Sequence, residues 1–383
     1  MITKYVDCAS LSFQATLPDQ SSYGVLVAKR AYQIGRDGIP EPRPEQELLV
    51  FGDQAYGEIN ETSLLYPSDV VPYKPRTDIV LAANSHAPGG APQRRWSCAV
   101  TVHGPRPLHS VLVVHGPRQW LPRWRMGTPE GFSPRGTGFT GWQLSEAEPV
   151  TQVPVRWERA WGGQNTDPAD PERIVVQEGN PIGCGWIDPE MTDHTQPVPA
   201  PQLEGPDAPL NDPYQIHEPA CFAPVMPAWL PRRTRGGTFD QAWMDAQRPW
   251  WPADYQFRYH NAAPDGLQVD GYLEGGETIQ VFNLVEGMPE CGITLPATGM
   301  IAHLGTMAVR MNMDTVLLDI RSPYPEDWLI TTTWRLVTPP VMDYDITLDE
   351  LDLASSRYQA ARRAMTPEQV AMALRLDKES AYV

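Results

Sequence analysis

The stretch that decides the fold is Trp328-Leu-Ile-Thr-Thr-Thr-Trp334-Arg-Leu336. Trp328, Ile330, Thr332, Trp334 and Leu336 alternate with Leu329, Thr331, Thr333 and Arg335. A period of two puts the two sets on opposite faces of an extended strand. Most of these residues are β-branched or aromatic, the types that pack well on a pleated surface. The same alternation runs through Met307, Val309, Met311 and Met313, set against Ala308, Arg310 and Asn312. It recurs in Tyr255, Phe257 and Tyr259, set against Gln256, Arg258 and His260. A hairpin turn is expected at Asn312–Thr315, leading into a strand over Val316–Ile320.

In the first half, strands are expected at Tyr23–Ile34, Glu47–Phe51, Asp78–Ala83, Cys98–His103, His109–His115 and Pro154–Arg159. Ile79-Val-Leu81 and Val111-Leu-Val-Val114 are short continuous apolar runs, which suit strands buried on both faces. Gly-Pro steps at 104–105 and 116–117 punctuate them. Proline reinforces the reading. The chain has 41 prolines in 383 residues, about twice the usual ~5%, and each costs about 3 kcal/mol inside a helix. A long helical bundle is excluded. The fold class expected is mainly β: two packed sheets or a distorted sandwich or barrel with long Pro-rich loops and a C-terminal helical pair.

One β-rich body is expected over 1–346. Within it, 164–219 carries eleven acids against the single base Arg173, and eleven prolines; it reads as a long ordered loop on the surface. A helical segment is expected over 347–383. Thr347-Leu-Asp-Glu350 fits a capping box, and Thr366-Pro367 fits a second helix start, predicting helices at about 348–364 and 367–379.

The net charge of −17 argues against nucleic acid and anionic membranes as partners, since both need a basic footprint. No apolar run approaches the ~18 residues of a membrane span, and the start of the chain lacks the apolar core of a signal peptide. The five cysteines, Cys8, Cys98, Cys184, Cys221 and Cys291, are widely spaced. They read as reduced thiols in a reducing, cytoplasmic setting. No zinc or calcium ligand spacing occurs, so no metal or organic cofactor is expected. Nucleophile elbows and phosphate-cradling loops are absent as well.

The densest segment is 227–264. Trp229, Trp243, Trp250 and Trp251 lie among Arg232, Arg233, Arg235 and Arg248. Trp and Arg are enriched at protein hot spots; they also build internal knots, with guanidinium planes on rings and N–H groups on loop carbonyls. Both readings stand at this level. A second candidate surface is the apolar side of the terminal helices, including Leu351, Tyr358 and Met365.

Several motifs together resemble the bacterial family called domain of unknown function 2169. They are Tyr73-Lys-Pro-Arg-Thr-Asp-Ile-Val-Leu81, Gly116-Pro-Arg-Gln-Trp120, Trp157-Glu-Arg-Ala-Trp-Gly-Gly163, Asn180-Pro-Ile-Gly-Cys-Gly185, Trp229-Leu-Pro-Arg232, Gly237-Thr-Phe-Asp-Gln-Ala-Trp243, Pro252-Ala-Asp-Tyr255, Asn261-Ala-Ala-Pro264, Gly275-Gly-Glu277, Asp314-Thr-Val316 and Trp334-Arg335. Pro117 and Cys221 depart from the pattern, where Asp and Gly are frequent. The resemblance implies a cytoplasmic, non-catalytic adaptor or chaperone of type VI secretion. Such a protein helps load an effector onto the PAAR-type tip or VgrG trimer of the spike. A second copy of the chain is a further candidate partner. The alternative is a hydrolase or carbohydrate-active enzyme with its acids in a Trp-lined cleft.

Overall fold

The computed structural model describes residues 2–34, 39–124, 138–167, 169–338 and 345–363. Most ordered elements among them are strands, and the fold is mainly β with several packed sheets. The Trp328–Leu336 stretch forms Leu329–Thr338, the longest strand but one. It lies between Ser22–Ile34 and Asn312–Asp319 in a seven-stranded sheet. Thr77–Ala82 pairs parallel to Asn312–Asp319, and every one of its residues is buried. The double-sided burial read from Ile79-Val-Leu81 comes from cover on both faces of this sheet, with Ile79 and Leu81 in the shared core.

A five-stranded sheet is built on Arg95–His103, flanked by Leu108–His115 and Thr278–Val285. A four-stranded sheet joins Thr298–Leu304 to Met307–Arg310 and to Ile346–Asp352, which also pairs parallel to Ile2–Lys4. These three sheets share one core. Ile79, Val316, Ile330 and Trp334 come from the first, Val100, Leu112 and Val281 from the second, and Met300, Ala302 and Leu348 from the third. The other face of the seven-stranded sheet carries Tyr23, Val25 and Val27, and is covered by Tyr73, Tyr255 and Phe257. No sheet among the described residues closes into a barrel.

Several expectations are corrected. Thr347–Glu350 does not start a helix; it lies in the strand Ile346–Asp352. Ile346 and Leu348 point into the core, and Glu350 binds Tyr32 Oη at 3.0 Å and ion-pairs with Arg30 instead of capping backbone N–H groups. Sheet pairing on both sides outweighs a local capping pattern. The helix that does form is Ser356–Arg363, where Ser355 Oγ accepts from Tyr358 N at 3.2 Å. The expected second helix, 367–379, lies outside the described residues. Asn312–Thr315 is not a turn but the start of the strand Asn312–Asp319; the hairpin falls earlier, between Thr298–Leu304 and Met307–Arg310.

Residues 255–260 are not a strand either, since Phe257–His260 is a 3-10 turn. Its alternation arises because Tyr255 and Phe257 both bury against the sheet beneath. Glu47–Phe51 has no strand, and the expected strand Pro154–Arg159 stops at Pro154 before a 3-10 turn at Trp157–Arg159. The 164–219 region holds more structure than a loop: a hairpin of Gln164–Asp167 and Asp170–Val176, then three short strands, Cys184–Gly185, Val198–Ala200 and Leu203–Glu204.

Candidate functional site

Four features bring the motif residues together, and the first is ionic. Alternation along Leu329–Thr338 turns Arg335 away from Trp334 and toward the covered face of the large sheet. Its Nε bonds Asp314 at 2.6 Å, and its other nitrogens bond the carbonyls of Val71 and Asp69. Lys29 pairs with the Asp69 carboxylate at 2.9 Å. Lys74 pairs with Asp78 at 3.0 Å and donates to Thr315 Oγ1 at 2.8 Å. Asp78 in turn accepts from Asn261 Nδ2 and from Ala262 N, both at 2.9 Å. All of these side chains are buried. Three cations thus meet three carboxylates in one interior network, satisfied as buried charges must be. His260 sits against it. Burial first, and then the charges of Arg232, Arg335 and Lys74, hold its pKa well below the ordinary value, so it stays neutral.

The second feature is a backbone knot. Asn180 Nδ2 donates to the carbonyls of Trp157 at 2.9 Å and Trp161 at 3.0 Å. Gly162 has φ +143°, and a Cβ there would lie 2.3 Å from the Asn180 carbonyl oxygen. Only glycine fits both the conformation and the space. Nearby, Trp120, Trp142 and Trp161 form a cluster of their own. Eight of the thirteen tryptophans are buried, which makes Trp chiefly core material here rather than a surface platform.

The third feature is the Trp/Arg segment, which divides in two. Trp229 is buried edge-on to Trp157, with ring centroids 6.0 Å apart. Arg232 is buried too, bonding the Tyr259 and Val225 carbonyls. Arg233 is half-exposed and pairs with Glu178 at 2.9 Å. Trp251 is half-buried and stacks on Tyr255 at 4.4 Å. Beyond Gly237 the chain turns outward. Asp240 caps the short helix Gln241–Ala246 by accepting from Trp243 N at 2.9 Å. Trp243 Nε1 donates to the Trp250 carbonyl at 2.8 Å, and its ring meets Phe239 edge-on at 4.8 Å. Phe239 is 56% exposed, Met244 46% and Trp250 37%. Thr238 is tied to Asp254 by two bonds, and Gln247 to the Pro18 carbonyl. The result is a cross-braced apolar ridge.

At the other proposed surface, Tyr358 is buried and Leu351 half-buried, in a small cluster with Ile301 and Ala361. Met365 lies outside the described residues.

The fourth feature, invisible in the sequence, is a half-open cavity of about 370 Å³. The strand residues Ser110–Leu112, the Gly205–Ala208 turn, the chain from Glu218 to Arg235 and the turn Asn261–Gly266 surround it. No spacing pattern could have found it, because its walls come from segments scattered between Ser110 and Gly266. Cys221 lines it, but burial pushes its thiol pKa up, so it is a protonated and weak nucleophile. Asp265 also lines it, held by Arg235 at 2.8 and 3.0 Å and by Arg258 at 3.2 Å. All five cysteines are unbridged. No group of three metal-ligating side chains occurs among the described residues.

Fold and site together define a multi-sheet β protein in which motif residues build interior networks beside an exposed ridge and a half-open cavity. The chain belongs to a bacterial family described as "Uncharacterized protein conserved in bacteria (DUF2169)", whose pattern matches residues 19–335. No curated protein and no solved structure matches the chain. No helix among the described residues is long and apolar enough to cross a membrane.

Proposed function

We infer that this protein is a non-catalytic adaptor that binds another protein through the Phe239–Trp250 ridge. The observation that carries the reading is the ridge itself: Phe239, Met244 and Trp250 exposed together on a loop braced at Asp240, Asp254 and Gln247. Ordered aromatic side chains held ready at the surface lose little entropy on binding, and this is how hot spots are built. Four titratable motif residues support the reading from the other side. Lys74, Asp78, Asp314 and Arg335 are sealed and paired, with none presented to a substrate.

The partner is a type VI secretion effector, or the PAAR-type tip or VgrG trimer that carries it, and loading takes place in the cytoplasm. This finer identification rests on the motif resemblance. The full-length chain, tagged and co-expressed with the spike-tip protein and effector encoded beside it, should retain at least one of them through purification. Replacing Phe239 and Trp250 together with Ala should release it while circular dichroism stays unchanged. Retention of the partner by a correctly folded double variant would move the interface elsewhere. Capture of neither protein by the unaltered chain would end the adaptor reading.

A further inference from the structure

The walls of the cavity are largely apolar, with Leu112, Phe222, Val225 and Leu230 among the lining residues. One charge among them is out of balance. Arg232 is only 5% exposed. Its Nε bonds the Tyr259 carbonyl at 2.7 Å and its Nη1 the Val225 carbonyl at 2.6 Å. Both acceptors are neutral. Asp53 and Asp78 act on it only from a distance, and none of the described carboxylates forms an ion pair with it. Nη2 has no acceptor among the described residues, and it is not sealed away from water-sized space.

The other charged groups lining the cavity are accounted for. Arg235 is neutralised by Asp265 through two bonds. Asp207 and Glu218 are exposed, where water and salt screen them. A nearly buried guanidinium with free donors and no counter-ion is a costly arrangement that an anion would relieve. Arginine's planar fork suits a carboxylate in particular.

We propose that this cavity binds an amphipathic carboxylate, its apolar body against Leu112, Phe222, Val225 and Leu230 and its carboxylate on Nη2 of Arg232. The volume falls at the small end of the ~300–1,000 Å³ range of ligand sites. It suits a body the size of one phenyl ring or a short alkyl chain. Two sources share this chemistry: a free monocarboxylic acid, and the C-terminal carboxylate of a peptide that ends in an apolar residue.

The inference is independent of the adaptor reading, and calorimetry on the full-length protein tests it. The probes are 4-phenylbutyrate, 4-phenylbutyramide, a hexapeptide ending in phenylalanine with a free carboxylate, and the same peptide amidated. At least one acid should bind, and its amide should bind at least about tenfold more weakly, because the amide lacks the charge that Arg232 answers. Binding of 4-phenylbutyrate alone identifies a small-acid site; tighter binding of the free peptide identifies a chain terminus.

Ala208 is an exposed residue lining the cavity, so Ala208→Trp should fold normally and abolish binding by filling the mouth. Arg232→Gln should equalise acid and amide. Should that variant unfold, the acid–amide pairs and Ala208→Trp still decide. Failure of both acids to bind at millimolar concentration overturns the proposal. So does equal binding of acids and amides, or unchanged binding by Ala208→Trp. The Phe239–Trp250 ridge is untouched by Ala208→Trp, so acid binding and partner capture can fail separately.

Discussion

The covered face of the large sheet and the Phe239–Trp250 ridge use the same kinds of residue in opposite ways. On the sheet, Arg335, Lys74 and Lys29 are each paired with a carboxylate inside the protein, and Tyr73, Tyr255 and Phe257 close over them. On the ridge, Phe239, Trp243 and Trp250 lie outside the core, with Trp243 half-buried and the other two exposed, and the bonds that hold them are mostly local. The first region specifies the fold and the second is available to a partner. Residue type alone therefore does not mark a binding surface in this chain. Burial does, and burial is set by which segment the sheet recruits as its cover.

Breaking the interior should have the largest effect. Asp314→Ala leaves the Arg335 guanidinium buried without its carboxylate, and removing one partner of a buried pair costs roughly 3–5 kcal/mol. Denaturant unfolding should register a loss of that order. A loss near zero would mean that the network is not the stabilising core of this region. The next effect is steric. Gly162→Ala places a Cβ against the Asn180 carbonyl at a φ of +143° and should cost on the order of 1–3 kcal/mol. Both thermal and chemical unfolding can measure it.

Smaller, and pH-dependent, is the contribution of His260. Histidine ordinarily titrates near pH 6.5, whereas folding holds His260 well below that value. Below about pH 6.5 the unfolded chain takes up a proton that the folded chain refuses, so stability is full above that pH and falls as the pH drops beneath it. Melting temperature should decline between pH 7.5 and 5.5, and His260→Gln should flatten the decline. An equally steep decline in that variant would assign the effect to other groups.

The ridge should show the smallest effect on stability. Phe239→Ala together with Trp250→Ala should shift unfolding by no more than about 0.5 kcal/mol per site, as exposed substitutions do, while partner capture is lost. A large destabilisation would make the ridge part of the core and dissolve the contrast with the sheet.

Much of the architecture was legible in the residues. Alternation in Trp328–Leu336 and the apolar run Ile79-Val-Leu81 identified two strands of the seven-stranded sheet, separated there by Asn312–Asp319, because period two and double-sided burial are local consequences of strand geometry. The family was legible through its ordered motifs. The helix expected after Thr347 was misplaced because a capping box is a short-range signal. It carries no information about Ile2–Lys4 or Thr298–Leu304, the two strands that claim Ile346–Asp352 from either side. The alternation at Tyr255–Tyr259 misled for a related reason: a turn that lays two aromatic side chains on a sheet can mimic a strand's period. The Trp/Arg segment could not be sorted from sequence into knot or interface, and it proved divided, with Trp229 and Arg232 inside and Phe239 and Trp250 outside.

The β class, the positions of the longest strands, the unbridged cysteines and the family could be read along the chain. These depend on periodicity, composition and spacing along the chain. Tertiary packing alone brings Lys74, Asp78, Asn261, Asp314 and Arg335, scattered over more than 250 residues, into one buried network. It also sets Arg232 against a cavity without a counter-ion. One cause underlies both. The environment of a charge is fixed by the segments that pack against it, and here those segments are brought together by parallel pairing and long crossovers that leave no trace in local sequence.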